Sequence, residues 1–306
     1  MPWDDLPDWL PAWCLDHLGG EPADVLFRVH RMSTVFGLRL AGGQEVVVKA
    51  RAEDGRAASC VAAQSWLAER GFPCPRPLTP VVAVGSLAVH AEELRSGGEV
   101  LRGDSSAVAA CYAGVFARLM AGLADFDVAP PLPHPRWIRW DHADPGVWPS
   151  IGFLDEREQG AVPAYVVDTA ARVRGRMLAA RLPSVLGHAD FEAQNLRWHG
   201  REVWAVHDWD SLAWQPEAAL VGAASGTFAN AGPPTLAPID SSEAFLLSYE
   251  DARGRRFTAV ELEVAWAASL WVAAHNARWE ALHGAHPATG DALKAQVAER
   301  LRRANC

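Results

Sequence analysis

Short β-rich segments dominate the first part of the chain, and longer stretches with helical spacing dominate the rest. The segments VLFRVH, VFGLRL and EVVVKA are separated by turn residues, so they predict three strands within residues 25–50. An Ala-rich stretch over residues 56–70, stopped by Gly71, predicts a helix. VVAVGSLAVHAEEL predicts a hairpin that turns at Gly85 and Ser86.

The composition changes at LRSGGEVLRGDSS, which reads as a linker. Helices are predicted at about 106–125, with Asp104 or Ser105 as the N-cap, and at about 163–181. Two short apolar segments around polar clusters follow, and further helices begin at Glu217. The fold class is therefore predicted as α+β, with a small antiparallel-sheet lobe over residues 1–93 and a larger, mainly helical lobe over residues 94–306.

The composition is that of an ordinary globular protein, with 306 residues, 50% of them hydrophobic and 21% charged. No apolar run reaches the ~20 residues that a membrane helix needs, and the acidic, Trp-rich start lacks the features of a signal peptide. We therefore expect a cytoplasmic protein with no membrane partner. The five cysteines are scattered and odd in number, so free thiols are predicted.

Charge is unevenly distributed along the chain. The net charge of −9 argues against a nucleic-acid partner bound through bulk electrostatics. Residues 25–99 carry seven acids and nine Arg or Lys, a net +2, whereas residues 208–263 carry nine acids and three arginines, a net −6. The acidic stretch is either a solvated helical surface or a region that faces a cationic ligand.

Two polar clusters follow apolar, strand-like segments. HADFEAQN contains Asp190 and Asn195, and VWAVHDWD runs an apolar strand into Asp208 and Asp210. Carboxylate and amide oxygens suit Mg²⁺, which proteins hold with one or two carboxylates completed by substrate phosphates. The alternative is that each aspartate only caps a turn.

The pair of motifs HADFEAQN and VHDWD resembles the catalytic loop and metal-binding motif of aminoglycoside-phosphotransferase-like kinases. The resemblance spans about residues 25–282 and implies a protein-kinase-like, two-lobed fold with ATP or GTP as co-substrate. It implies that Asp190 orients the acceptor hydroxyl and accepts its proton, and that Asn195 and Asp208 bind Mg²⁺. His188 and Asp210 are expected to support these residues.

The resemblance also gives Lys49 a role. Lys49 is one of two lysines among 28 Lys and Arg residues, and it ends the third predicted strand, where kinases keep a lysine on the ATP phosphates. A forked guanidinium is a poor substitute for that slim ammonium.

Two further nucleotide contacts are implied. HRMSTVFG would cover the phosphates without a Gly-rich motif, through Ser33, Thr34 and backbone N–H groups. HAEEL would be the hinge, where the backbone of Glu92 and Leu94 meets adenine.

One departure from the family concerns the lysine's partner. Kinases pair this lysine with a glutamate on the following helix. Here that helix offers Cys60 and Gln64, and Glu69 lies near its end. Either the ion pair is missing, or Gln64 replaces it with a weaker neutral contact.

Several functions stay open at this point. The first is phosphorylation of a small-molecule hydroxyl, with the acidic stretch favouring a cationic aminoglycoside-like acceptor and hence antibiotic resistance; a macrolide, amino alcohol or sugar is the alternative. The second is a metal-dependent hydrolase using His188, Asp190 and the His207–Asp208–Asp210 cluster. The third is a non-catalytic binding module. Tryptophans 137, 140 and 148, in a Pro-rich loop, either pack that loop or line a substrate pocket.

Overall fold

The computed structural model of the chain describes residues 6–30, 32–229 and 235–306. Its helices are α1 (Trp9–Leu18), α2 (Ala57–Glu69), α3 (Ser106–Leu123), α4 (Gly152–Asp155), α5 (Ala164–Ala180), α6 (Glu217–Thr227), α7 (Ile239–Arg253), α8 (Ala259–His283) and α9 (Ala288–Arg303). Its strands are β1 (Pro22–His30), β2 (Thr34–Leu40), β3 (Glu45–Ala52), β4 (Val82–Val84), β5 (Leu87–Glu93), β6 (Ser184–His188), β7 (Leu196–His199), β8 (Glu202–Val206) and β9 (Leu212–Pro216).

The chain divides into two compact units. The first, called the sheet unit here, runs up to Gly97 and also contains Phe126–Leu132 and Ala205–Trp209. The second, called the helical unit, consists of Gly98–Asp125, Pro133–Trp204 and Asp210–Cys306. The sequence analysis assigned both short later segments of the sheet unit to the second lobe.

In the sheet unit, five antiparallel strands lie in the order β1–β2–β3–β5–β4. Val48 pairs with Ala91, and the next pair in the ladder is Lys49 with His90. Because side chains alternate between the faces of a strand, these two pairs lie on opposite faces of the sheet. The face with Val48 and Ala91 is apolar and is covered by α1. The other face, called the charged face below, carries Lys49.

The helical unit is built around α3. Tyr112 and Phe116 of this helix are fully buried. The Phe116 ring lies 4.8 Å from that of Phe191, and the Tyr112 ring lies 5.5 Å from that of Phe228. These contacts join α3 to α6 and to the segment that follows β6.

By length and composition alone, α3 could cross a membrane, with a mean hydropathy of 1.5. Half of its residues are buried inside the structure. Its aromatic contacts are those of a core helix, which passes the same test of length and hydropathy.

Most predicted elements agree with the structure. The α+β class, with a small antiparallel sheet before a mainly helical part, is confirmed. The predicted helices at 106–125 and 163–181 correspond to α3 and α5. Ser105 is the N-cap of α3, because its hydroxyl accepts a hydrogen bond from the Val108 N–H. The predicted turn at Gly85 and Ser86 connects β4 to β5.

Candidate active site

Lys49 lies near the end of β3 on the charged face of the sheet, and it is only 8% exposed. His90 of β5 is directly opposite, and Glu92 lies two residues further along the same face. A long side chain can reach such a diagonal neighbour across two strands. The position of Lys49 therefore makes Glu92 a possible partner.

A buried carboxylate holds the Lys49 ammonium. Nζ of Lys49 lies 2.9 Å from Oε1 of Glu92, and the two side chains are 10% and 3% exposed. The second oxygen, Oε2, accepts a 2.9 Å hydrogen bond from Nε2 of Gln64 on α2. Gln64 also donates a 2.8 Å hydrogen bond to the Pro75 carbonyl. Both protons of the Gln64 amide are thus used, and both oxygens of Glu92 have a partner.

These contacts correct the expectation for Gln64. The ion pair is present, and the carboxylate that forms it comes from β5 rather than from the helix. Gln64 binds that carboxylate and does not replace it as a neutral partner of Lys49. Glu92 was expected to act at the hinge through its backbone, and the role of its side chain was missed. Strand alternation was the available signal, but it identifies Glu92 only when the β3–β5 register is known.

Burial shifts the pKa values of two groups that lie beside Lys49 on the charged face, His90 and Arg51. Burial, with Lys49 and Arg51 as further causes, lowers the pKa of His90 well below its ordinary value, so the ring is neutral at neutral pH. Burial also lowers the pKa of Arg51, against the opposing effect of anionic groups that include Asp208. An arginine stays protonated in proteins. Around Lys49, the charged face therefore carries two buried cations, Lys49 and Arg51, and the buried carboxylate of Glu92.

Asp208 follows the end of β8 and has a φ of 63°, in the left-handed region. Aspartate adopts this conformation more readily than most residues, but it needs support from its surroundings. The next residue, Trp209, is 1% exposed. Its indole N–H donates to the Val206 carbonyl over 3.0 Å, and its ring packs edge-on against Phe72 at 6.1 Å. The buried tryptophan therefore fixes the backbone that presents Asp208.

In the helical unit, the segment between β6 and β7 holds Asp190 and Asn195 together. Nδ2 of Asn195 donates to Oδ2 of Asp190 and to its carbonyl, both over 2.9 Å. The Asn195 N–H donates to the Glu192 carbonyl at 3.0 Å, which closes a short 3-10 turn. Asp190 and Asn195 are half-buried. The two predicted site residues are thus brought together, with the amide oxygen of Asn195 left to bind a cation.

Two buried side chains support this segment. His188 is fully buried, and its Nδ1 accepts a 3.2 Å hydrogen bond from the Asp190 N–H, so the neutral ring carries its proton on Nε2. This agrees with the supporting role expected for His188. Phe191 is 1% exposed and packs on Phe116. Sequence analysis assigned no role to Phe191; an aromatic residue between two polar ones was its only signal.

The remaining predicted contacts lie in the connecting segments. Ser33 is half-buried in the bend between β1 and β2, and the Thr34 hydroxyl bonds Nδ1 of His30 over 2.8 Å. Arg31 of the same bend lies outside the described residues. Leu94 directly follows β5, and Asp210 lies half-buried in a short 3-10 helix, Trp209–Ser211. Nucleotide contacts for Ser33, Thr34, Glu92 and Leu94 stay predictions.

The donors available for a cation are oxygens. Among residues 6–30, 32–229 and 235–306, no group of three or more His, Cys, Asp or Glu side chains is arranged to hold a metal ion. Asn195 of the helical unit offers an amide oxygen, and Asp208 of the sheet unit offers a carboxylate. Each is the kind of oxygen ligand that Mg²⁺ takes, and this ion completes its shell with water and phosphate oxygens.

Comparison with known proteins identifies the family. The model of the phosphotransferase enzyme family (APH) matches residues 33–238, about two thirds of the chain. The chain belongs to this family. The predicted small-molecule phosphotransferase is thereby confirmed, and the family supports neither the hydrolase nor the binding module. A search of curated proteins finds no match.

Solved structures show the same fold. An amicoumacin kinase in complex with AMP-PNP, Ca²⁺ and Ami has a TM-score of 0.63 at 10% identity, over 94% of this chain and 89% of its own. A proposed fructosamine-3-kinase from Thermobifida fusca has a TM-score of 0.54 at 16% identity, over 97% and 98%. A thermostable mutant of aminoglycoside phosphotransferase APH(4)-Ia, in a ternary complex with ADP and hygromycin B, has a TM-score of 0.52 at 15% identity, over 97% of both chains. The predicted protein-kinase-like fold is confirmed.

Proposed function

We propose that this enzyme transfers the γ-phosphoryl group of ATP or GTP to a hydroxyl group of a small molecule. The observation that carries the proposal is the half-buried Asp190, whose carboxylate and backbone carbonyl each accept a 2.9 Å hydrogen bond from Nδ2 of Asn195. A carboxylate fixed in this way can orient a hydroxyl group and accept its proton. The structural neighbours bound to AMP-PNP and ADP support a nucleotide co-substrate.

Each residue then has one task. Asp190 orients the acceptor hydroxyl, whose oxygen forms the new bond to the γ-phosphorus. The bond from the γ-phosphorus to the bridging oxygen of the nucleoside diphosphate breaks, and the hydroxyl proton passes to Asp190. Lys49 binds the nucleotide phosphates, and Asn195 and Asp208 would hold Mg²⁺. The bound ion neutralises charge on the phosphates.

Most carboxylates of the acidic stretch bind arginine side chains of the protein, which weakens the case for this stretch as a binding surface for a cation. Glu217 accepts hydrogen bonds from Tyr249, Arg253 and Arg255 over 2.5–3.1 Å. Further acids of the stretch form ion pairs with arginines, namely Glu243, Glu250, Asp251, Glu261 and Glu263. Two of these arginines, Arg176 and Arg303, lie outside residues 208–263, so the paired set offsets part of the negative charge of the stretch.

The unpartnered buried groups near Asp190 are hydrogen-bond donors instead. Trp140 and Trp271 line a small, mainly apolar cavity together with Ala189, the residue before Asp190. Both indole N–H groups are buried without a partner among the described residues. Buried donors call for oxygen acceptors. The cavity has room for about one water molecule, whose oxygen could accept from these donors, so it indicates no particular class of substrate.

A second group of buried hydrogen-bond donors lies on α8. Arg278, 2% exposed, donates through Nη2 to Asp155 and Gln159. Its Nε and Nη1 are buried without a partner in the described part of the chain. The guanidinium carbon lies 5.3 Å from the centre of the Trp148 ring, which also packs on Trp271.

The test is Mg²⁺-dependent release of ADP or GDP from purified protein. The acceptor panel would pair cationic compounds (aminoglycosides, amino alcohols) with neutral or acidic ones (macrolides, sugars, aromatic hydroxy acids). We expect stimulation by one class of acceptor and its loss in Asp190→Ala. Asp168→Ala, an exposed acid on α5, is the matched control. Stimulation by an aminoglycoside alone would revive the cationic acceptor and a resistance function. Failure to bind any nucleotide would overturn the kinase proposal. A cytoplasmic location remains part of the proposal.

A further inference from the structure

The carboxylate beside Lys49 is built into the sheet. Glu92 belongs to β5, which pairs with β3 across seven registered positions. On its other side, the Ala91 carbonyl accepts a 2.8 Å hydrogen bond from the Leu78 N–H. The Glu93 N–H donates to the Arg76 carbonyl over 2.9 Å. The backbone at Glu92 is therefore fixed from both sides.

The surroundings of Glu92 leave Lys49 as its cationic partner. His90, the nearest other base, has its Nε2 4.0 Å from Oε2 of Glu92. Its Nδ1 is buried without a hydrogen-bond partner in the described residues. Because the buried His90 ring is neutral, the charge of Glu92 is balanced by the ammonium at 2.9 Å. A buried ion pair is stable only when its remaining polar atoms are satisfied, and Gln64 satisfies the second carboxylate oxygen.

We propose that Glu92 is the positioning residue for Lys49 in nucleotide binding, and that Gln64 orients Glu92. In this enzyme the carboxylate that pairs with the lysine comes from a strand, whereas in other kinases it comes from a helix. The helix here contributes a neutral amide that donates a hydrogen bond to the carboxylate. The inference rests on the proposed function, because it assigns Lys49 to the nucleotide phosphates. It explains why α2 has glutamine at position 64: a second carboxylate there would face Glu92 at hydrogen-bond distance and repel it.

The experiment is a double-mutant cycle on nucleotide affinity. Dissociation constants for Mg·ATP and Mg·GTP would be measured by calorimetry for the wild type, Lys49→Met, Glu92→Gln and the combined variant. We expect Glu92→Gln to weaken binding by about tenfold or more, a loss of the order of one charge-assisted contact. In the Lys49→Met background, Glu92→Gln should cause no further loss, because Glu92 acts through Lys49.

A swap of the two side chains separates positioning from folding. Gln64→Glu alone should weaken binding, since it places two carboxylates together. Gln64→Glu combined with Glu92→Gln restores one carboxylate and one amide, and it should recover affinity to within about threefold of wild type. Glu93→Gln is the matched control, because Glu93 is the neighbouring acid on the same strand and forms an exposed ion pair with Arg76.

The outcomes are distinct. A folded Glu92→Gln protein with wild-type nucleotide affinity would overturn the inference, as would losses that add in the combined Lys49→Met variant. A swap that does not recover affinity would overturn the role of Gln64. If the wild-type protein binds neither nucleotide, the proposed function fails and the inference fails with it. Melting temperatures of all variants, measured by circular dichroism, would identify any that do not fold.

Discussion

The candidate residues of the two units are held in different ways. In the helical unit, Asp190 is fixed by Asn195 within one short segment. In the sheet unit, Lys49 depends on Glu92 and Gln64, which come from another strand and from a helix. The first arrangement leaves a half-buried carboxylate that can be exchanged with little effect on its surroundings. The second is a buried set of charges, so catalysis and stability are coupled there.

The largest expected effect is on turnover, at the locally held aspartate. Asp190→Ala should lower the rate of phosphoryl transfer by roughly 10²–10⁴-fold, the usual contribution of a general base. Nucleotide affinity should stay close to wild type, because Asp190 is assigned to the acceptor hydroxyl, and thermal unfolding should change little, because the carboxylate is only half-buried. Coupled ADP-release kinetics and calorimetry would check both. A large drop in melting temperature would show that the segment is not held locally.

The next effect is on stability, at the lysine held by distant residues. Lys49→Met leaves Glu92 buried without its cation and should cost about 3–5 kcal/mol of unfolding free energy. Adding Glu92→Gln should recover most of this loss without restoring nucleotide binding. Urea unfolding of each variant would measure its free energy of unfolding. Arg76→Met is the control, because its ion pair with Glu93 is exposed and such pairs contribute about 0–1 kcal/mol. Equal losses in Lys49→Met and Arg76→Met would remove the contrast between the two regions.

A smaller effect is expected at an acid that belongs to neither part of the site. Glu217→Gln weakens charge-assisted hydrogen bonds from Arg253 and Arg255 and should cost about 1–3 kcal/mol of stability. Turnover at saturating substrate should be unchanged. If the variant instead kept its stability and raised KM for the phosphoryl acceptor, the acidic stretch would be a binding surface after all.

The smallest effect concerns pH. The folded-state pKa of His90 is lowered by burial, so the unfolded chain binds more protons below pH 6.5. The contribution of His90 to stability is therefore present above pH 6.5. It is lost as the pH falls, with a slope of at most about 1.4 kcal/mol per pH unit. Between pH 7 and 5, the free energy of unfolding should depend less steeply on pH for His90→Gln than for the wild type, as measured by unfolding curves. Parallel profiles would mean that His90 is protonated in the folded sheet unit.

The same contrast explains how much of the site could be predicted from sequence. Asp190, Asn195 and the support from His188 lie within one contiguous segment, so their spacing was enough to group them. The partner of Lys49 was not predictable, because it depends on the β3–β5 register and on where α2 packs. Glu92 was recognised only as a residue near the hinge.

Charge counted along the chain is incomplete for a related reason. Two of the arginines that pair with acids of residues 208–263, Arg176 and Arg303, lie outside that stretch. A count over a window cannot register such pairs. The predicted helices and strands agree with the structure, because hydrophobic spacing, caps and turn residues are local signals.

The origin of the carboxylate has a consequence for how the enzyme can be controlled. In kinases that take this glutamate from a helix, moving the helix breaks the ion pair and switches the enzyme off. Here Lys49 and Glu92 lie on adjacent strands of one sheet, so a shift of α2 would remove only the hydrogen bond from Gln64. A shift of α2 would therefore weaken the support of the ion pair without separating its two charges, which differs from the switch in which the helix carries the carboxylate away.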